Sequence, residues 1–329
     1  MLRVAVVGMG RMGLLHASIL SVVPQVQLAA ICEKSSVTRK LLKKILRGVP
    51  IVEDIREFSD MDLDAIFVTT PISSHFSVAK TVYEEKLAPH LFIEKTLCSN
   101  YSESKQLCEL AKHHGRVNMV GYPRRFMVTF IKARELLAQN VIGNPFSFTV
   151  NAFSSDFCGI SKNSKMSIAR GGVLSDLGSH AIDIALWFFS DIQVGMARIE
   201  SLTGTGAEDA VRFTVTRDSG ALQGDFSVSW CTEGYRMPEV FLRIKGQKGI
   251  IEVNDDKVSL NLIEGEPCTW YRQDLNDAVP FLLGGPEYYR EDFCFVKSIQ
   301  NNSVAEPDFN TASKVDHLID VIKRRAGAD

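Results

Sequence analysis

Apolar and polar residues follow two rhythms along this chain, and the change falls near residue 122. Residues 2–7 are an almost unbroken apolar run ending in Gly8, the signature of a strand buried on both faces. A helical pattern from about residue 11 to 22 stops near Pro24, and a second apolar strand covers 26–32. Ser35 and Ser36 can cap a helix reaching about Arg47, which Gly48 and Pro50 end. Further strands are expected at 64–70, 90–95 and 117–122, separated by a helix capped near Ser73 or Ser74 and another over 101–114. Strands alternating with helices give a doubly wound parallel sheet.

Beyond residue 122 the rhythm shortens. After a helix over about 127–139, residues 144–157 alternate like a strand, a polar segment fills 161–170, and 170–189 is glycine-rich and then strongly apolar. Six more alternating runs follow at 194–202, 209–217, 221–230, 239–246, 249–253 and 257–263, with Gly, Asp and Asn turns and no intervening helix. That is the pattern of a large, mostly antiparallel open sheet. Helices at about 286–300 and 310–325 close the chain. The fold class is therefore α/β followed by α+β, with one domain over 1–122 and a second over 123–329.

The first strand leads into GMGRMG at positions 8–13. Gly8 permits the turn, Gly10 lets backbone approach a pyrophosphate, Gly13 lets the helix pack on the sheet, and the helix N-terminus supplies an anion site. Glu33 stands 20 residues after Gly13, at the end of the second strand, where a carboxylate can accept the hydroxyls of an adenosine ribose. Together these predict a Rossmann domain, with Gly8, Met9, Gly10, Arg11, Met12, Gly13 and Glu33 around the cofactor. Glu33 would repel a 2′-phosphate and so favours NAD; Lys34, Ser35 and Arg39 nearby leave NADP open. Ligands of such sheets sit beyond the carboxyl ends of the strands, which adds Thr69, Thr70, Pro71, Glu94, Lys95, Thr96, Gly121 and Tyr122.

Charge and composition narrow the partners. The 329 residues are 45% hydrophobic and 23% charged, with a formal net charge of −2, as in an ordinary globular protein. Without a concentrated basic face, no nucleic-acid partner is expected; the basic run at 39–47 alternates with leucines as a solvated helix face. The seven cysteines are scattered and form no CxxC pair, so neither zinc nor a disulfide frame is indicated and no metal is expected. The strand beginning at residue 2 leaves no room for a signal peptide, and the apolar stretch at 181–189 is too short for a bilayer, so a cytoplasmic protein is expected, off the membrane.

Three groups can carry chemistry. Lys95 would present its ammonium beside a nicotinamide and polarise a substrate hydroxyl or carbonyl; a plain surface pair with Glu94 is the alternative. Asp176, His180 and Asp183 fall on one face of an α-helix, where carboxylates can hold a histidine ready to take a proton; a capped helix start is the alternative. Gly171, Gly172 and Gly178 would let this backbone approach a ligand. Arg124 and Arg125 can each bind an anionic or hydroxylated substrate group, one of the two being structural.

In order and spacing, GMGRMG, TTPISSH at 69–75, IEKT at 93–96, GYPRRF at 121–126 and GGVLSDLGSHAID at 171–183 resemble the glucose-fructose oxidoreductase, inositol dehydrogenase and MocA family over essentially the whole chain. The resemblance implies nicotinamide chemistry on a secondary alcohol of a sugar, cyclitol, sugar phosphate or nucleotide sugar, and a homo-oligomer, dimer or tetramer, formed through the open sheet. It implies Lys95 as the catalytic lysine, His180 as acid/base, Asp176 as its partner in substrate contact, and Asp183 in support. Thr69, Pro71, His75 and Glu94 would line the cofactor cleft, and Tyr122, Arg124, Arg125 and Arg170 the substrate side.

Two departures stand out. Thr96 replaces the usual proline after Glu-Lys, and a non-proline cis bond costs about 2.5 to 4 kcal/mol, so a trans peptide is expected there. Arg170 replaces the usual glycine and, with Arg124, Arg125, Lys162 and Lys165, hints at a phosphate or carboxylate on the substrate. The competing functions are an NAD-dependent glycosidase that recycles its cofactor and a non-catalytic nicotinamide-nucleotide-binding regulator.

Overall fold

The computed structural model describes residues 1–158, 170–202, 207–217, 220–235 and 237–327. By contact the chain forms two compact units, Met1–Tyr122 with Val279–Asp316, and Pro123–Ala278 with His317–Asp329. The sequence reading places all of 123–329 in the second domain; the structure gives 279–316 to the first unit.

The first unit is a six-stranded parallel sheet. Its strands are β1 (Leu2–Val7), β2 (Val26–Cys32), β3 (Ile51–Val52), β4 (Ala65–Val68), β5 (His90–Glu94) and β6 (Asn118–Gly121), in the order β3-β2-β1-β4-β5-β6. Strand order reverses between β1 and β4, and the crevice at that reversal is where such sheets bind ligands. The strand centres are apolar on both sides because helices cover both faces: Val4 to Val7, Ala65 to Val68 and Leu91 to Ile93 are buried. Those helices are α1 (Arg11–Leu20), α2 (Ser36–Ile45), α3 (His75–Glu84) and α4 (Tyr101–His114). The Ser35 hydroxyl caps α2 by accepting from the Thr38 amide at 3.3 Å, and Asn100 caps α4 through the Glu103 amide at 3.0 Å. The two-residue β3 is too short to announce itself by periodicity.

The second unit holds an eight-stranded sheet made from β7 (Pro145–Phe153), β8 (Gln193–Glu200), β9 (Ala210–Arg217), β10 (Leu222–Ser229), β11 (Glu239–Gly246), β12 (Gly249–Val253), β13 (Lys257–Leu262) and β14 (Cys268–Tyr271). Its order is β14-β13-β12-β11-β7-β10-β9-β8, antiparallel except where β7 runs parallel to β10. One face is packed: Phe148, Val150 and Ala152 of β7 alternate with partly exposed neighbours, and Phe148 stacks on Phe189 at 4.2 Å between centroids. The packing helices are α5 (Val128–Ala138) and α6 (Ser179–Phe189), the latter led in by a π-helical turn at Leu174–Gly178. The other face is lined by Thr149, Asn151, Arg212, Thr214, Asp225 and Ser227 and forms an open groove of about 900 Å³. Of the closing helices, α7 (Pro286–Asn301) belongs to the first unit, and α8 (Phe309–Ala326) starts in the first and ends in the second. Among the described residues no helix is long and apolar enough to cross a membrane, and the seven cysteines are unbridged.

Candidate active site

The loop from β1 to α1 shows what each glycine does. Gly8 has φ +92°, and a Cβ on it would lie 2.8 Å from the Thr70 side chain. A Cβ on Gly13 would lie 1.9 Å from the Gly8 carbonyl oxygen, so only glycine lets α1 start this close to the strand. Gly10 is different: a Cβ there would meet nothing within 4 Å. That open space stands at the N-terminus of α1, whose first turn carries no acidic residue, and it is a cradle that fits a pyrophosphate. Met9 is buried, Met12 partly so, and Arg11 is exposed beside the cradle.

Glu33 closes the loop from below. Its Oε2 accepts from the Met9 amide and its Oε1 from the Ser35 amide, both at 2.7 Å. A carboxylate offers about four lone-pair directions, so two remain for ribose hydroxyls. Arg39 donates to the Glu33 and Lys34 carbonyls at 2.8 and 2.6 Å and to Glu53 at 2.5 Å. With that guanidinium committed, Arg39 is not free for a 2′-phosphate, and the Glu33 carboxylate at the loop fits NAD.

The ends of β4 and β5 are tied together by one buried ring. His75 has Nδ1 2.8 Å from the Thr96 carbonyl oxygen and Nε2 2.8 Å from the Thr70 carbonyl oxygen. Burial lowers its pKa below 6.5 although both carbonyls oppose the shift. Thr69 Oγ1 donates to the Gly8 carbonyl at 2.6 Å and so locks the glycine loop to β4, while Pro71 starts a short 3₁₀ turn into α3. Glu94 is buried at the end of β5, its Oε2 accepting from the Lys95 amide at 3.2 Å; Lys95 is half-buried and Thr96 buried. The Lys95–Thr96 peptide is cis, against the trans bond expected from the dipeptide. That expectation weighed local preference alone, whereas in the fold Thr96 is held by His75 and by its own hydroxyl, which donates to the Cys98 carbonyl at 3.1 Å. Tyr122, after β6, is fully buried.

In the second unit the Asp176 and His180 segment departs from simple α spacing. Leu174–Gly178 is a π turn, so Asp176 and His180 do not follow the four-residue α register, and both side chains are partly exposed. Asp183 is buried instead and takes a bidentate bond from Arg125, with Nε 2.9 Å from Oδ2 and Nη2 2.6 Å from Oδ1. Arg124 pairs with Asp255 at 3.1 Å. Arg170 lies 2.7 Å from Asp156 and 3.4 Å from Asp176, above the Phe157 ring. All three arginines of the anionic-substrate hint thus already face carboxylates; Lys162 and Lys165 lie outside the described residues. Gly172, at φ +88°, packs on protein: a Cβ there would fall 2.0 Å from Glu208 Oε1. Gly178 likewise packs on Leu174, at 3.0 Å.

Family models match most of the chain. The model described as "Oxidoreductase family, NAD-binding Rossmann fold" covers residues 2–122, and the GFO/IDH/MocA C-terminal domain model covers 130–252. The chain belongs to the Gfo/Idh/MocA family. Among curated relatives, scyllo-inositol 2-dehydrogenase (NAD(+)) of Bacillus subtilis is 28% identical over 206 residues, 62% of this chain and 57% of the relative. Myo-inositol 2-dehydrogenase of Thermotoga maritima is 24% identical over 196 residues, 58% of this chain and 55% of the relative. The chain thus spans little more than half the length of these two relatives. Among solved structures, levoglucosan dehydrogenase in complex with NADH superposes with a TM-score of 0.88 at 19% identity, over 99% of this chain and 97% of that one, which shows the shared fold.

Sequence reasoning missed a second set of residues. His16, Glu291 and Asp292 are all fully buried in the first unit, and Glu208 stands over Gly172 in the second. His16 sits three residues after Gly13, on the face of α1 that the helix buries; a titratable residue on that face was the available signal.

Proposed function

We propose that this protein is an NAD-dependent dehydrogenase or reductase acting on CH–OH groups, interconverting a secondary alcohol and a ketone on a sugar or cyclitol. One observation carries the reading. Within a single unit, an open pyrophosphate cradle at Gly10, a ribose-ready carboxylate at Glu33 and Lys95 at the carboxyl end of β5 line the strand ends where such sheets bind nicotinamide nucleotides. Bound NAD supplies the hydride acceptor. In this reading His180, in the second unit, is the acid/base for the hydroxyl proton, and Lys95, in the first, is the cation that polarises the reacting carbonyl or hydroxyl. Asp176 holds a second substrate hydroxyl. In the reducing direction His180 returns the proton.

The charge balance favours a neutral substrate. Among the described residues Arg170 is already held by Asp156 and Asp176, so its guanidinium has carboxylate partners to give up before it can take a phosphate. Inositols and unphosphorylated hexoses are the substrates of choice, and the likeness to inositol dehydrogenases supports the same class. The groove on the free face of the eight-stranded sheet supports assembly into a homo-oligomer.

The test is absorbance at 340 nm with NAD or NADP and a panel of inositols, hexoses and their phosphates. Turnover of a neutral polyol with NAD, lost in Lys95→Ala while that variant still binds NADH by fluorescence, is the expected result. Silence across the panel with NADH bound would refute it, and turnover of the phosphates alone would refute the neutral-substrate assignment.

A further inference from the structure

The first unit buries a cluster that the proposed chemistry does not use. His16 is fully buried, with Nδ1 2.8 Å from Asp292 Oδ1 and Nε2 2.8 Å from Glu94 Oε1. Glu94 uses its other oxygen, Oε2, to accept from the Lys95 amide at 3.2 Å. Beside them Glu291 is also fully buried, and its carboxylate oxygens have no hydrogen-bond partner among the described residues. Glu287 completes the set, at 6% exposure on α7. The surroundings are aromatic: Phe67 and Phe92 lie 5.7 and 5.2 Å from the His16 ring, and Phe295 closes edge-on against both phenyl rings.

Such a cluster is a poor way to stabilise a core. Apolar residues of the same volume are often at least as stabilising as buried charges, so the polar chain calls for a function. A metal centre at His16, Glu291 and Asp292 is the first alternative. The geometry opposes it: two ligands of a tetrahedral zinc, each at about 2.0 Å from the ion, stand about 3.3 Å apart. The 2.8 Å between His16 and Asp292 is a hydrogen bond.

We propose that His16 is a positioning residue for Lys95, acting through the relay Asp292–His16–Glu94. By holding Oε1 of Glu94 it fixes the carboxylate whose Oε2 holds the Lys95 amide, and so it sets the origin of the Lys95 side chain. Protonation fits the relay. Burial alone would lower the His16 pKa, but the Asp292 and Glu94 carboxylates outweigh it and hold the ring's pKa well above 6.5, so both ring nitrogens donate. Burial, with Glu94, Asp292 and Glu287 adding to it and His16 opposing, keeps the Glu291 pKa well above 4.5, so this neighbour stays a neutral acid outside the relay. The inference rests on the reading of Lys95 as a catalytic residue.

The test reads Lys95 directly. Full-length protein is labelled with limiting acetic anhydride at pH 8, and the Lys95 peptide is quantified by mass spectrometry against Lys80 as internal reference. In His16→Gln, Glu94 loses its cationic partner and draws the Lys95 ammonium, so the relative labelling rate of Lys95 falls about fivefold, the factor one lost hydrogen bond is worth. Asp292→Asn keeps an acceptor for Nδ1 and gives a smaller fall in the same direction; it decides the matter where His16→Gln does not fold. Glu291→Gln, in the same cluster but outside the relay, labels as wild type. A wild-type rate in folded His16→Gln, or in Asp292→Asn where His16→Gln does not fold, overturns the relay, as does an equal fall in Glu291→Gln. One equivalent of bound metal in the purified protein also overturns it. Undiminished turnover in Lys95→Ala sinks the catalytic reading instead, and leaves the labelling result standing.

Discussion

Asp183 separates two readings of the same motif, because the resemblance gives it a supporting catalytic part and the structure gives it a partner. Its side chain is 1% exposed and Arg125 is 6% exposed, with Nε and Nη2 of the guanidinium at 2.6 to 3.0 Å from the carboxylate oxygens. Asp183→Asn keeps the shape and one acceptor oxygen but removes the carboxylate charge from beside the buried Arg125 guanidinium. Breaking a buried pair from one side costs about 3 to 5 kcal/mol, and the retained acceptor puts this variant near the lower end. All three tryptophans, Trp187, Trp230 and Trp270, fall in the second unit, so tryptophan fluorescence during urea denaturation reports the unit that holds the pair. The expected result is a midpoint shift worth about 3 kcal/mol. Replacing both partners, as Arg125→Met with Asp183→Leu, recovers most of the loss because no unpaired charge remains. At a temperature where Asp183→Asn is folded, its turnover stays within a few-fold of wild type. Unchanged stability, within about 0.5 kcal/mol, together with abolished turnover would refute the structural assignment and put Asp183 among the reacting groups.

Other substitutions test the remaining parts. Gly10→Ala folds as wild type, since its methyl enters open space, but loses NADH binding by fluorescence because that space is the cradle; wild-type binding would refute the cradle. Gly13→Ala, whose methyl would stand 1.9 Å from the Gly8 carbonyl, loses both binding and thermal stability. Glu33→Ala lowers NAD affinity about tenfold, the worth of a charged hydrogen bond, and narrows the preference over NADP; unchanged affinity for both would remove Glu33 from the ribose site. Glu291→Gln tests the buried acid through pH. The raised folded pKa of Glu291 means the native state holds a proton that the unfolded chain releases above about pH 4.3, so stability falls as pH rises through that window, by up to about 1.4 kcal/mol per unit. The variant lacks that slope, and parallel stability curves for the two proteins between pH 5 and 7 would show that Glu291 is ionised in the fold.

What the sequence made legible followed from periodicity and from residues whose role is local. The unbroken apolar runs of β1, β4 and β5 announce a sheet covered on both faces, and Gly8, Gly10 and Gly13 act through backbone geometry alone, so spacing sufficed for them. The return of Val279–Asp316 to the first unit was not legible, because α7 has the same amphipathic pattern whichever unit it covers. The π turn at Leu174–Gly178 has no periodic signature either, and it takes Asp176 out of α register with His180, while His180 and Asp183 keep α spacing inside Ser179–Phe189 and Asp183 is drawn to Arg125. The pairing of Arg124 with Asp255 and of His16 with Asp292 joins residues 131 and 276 positions apart, beyond any local pattern. A charge seen in sequence is therefore only a potential ligand. The partners it finds in the fold decide whether it is available to a substrate, and here Arg124, Arg125 and Arg170, which in sequence suggested an anion, each meet a carboxylate of the protein.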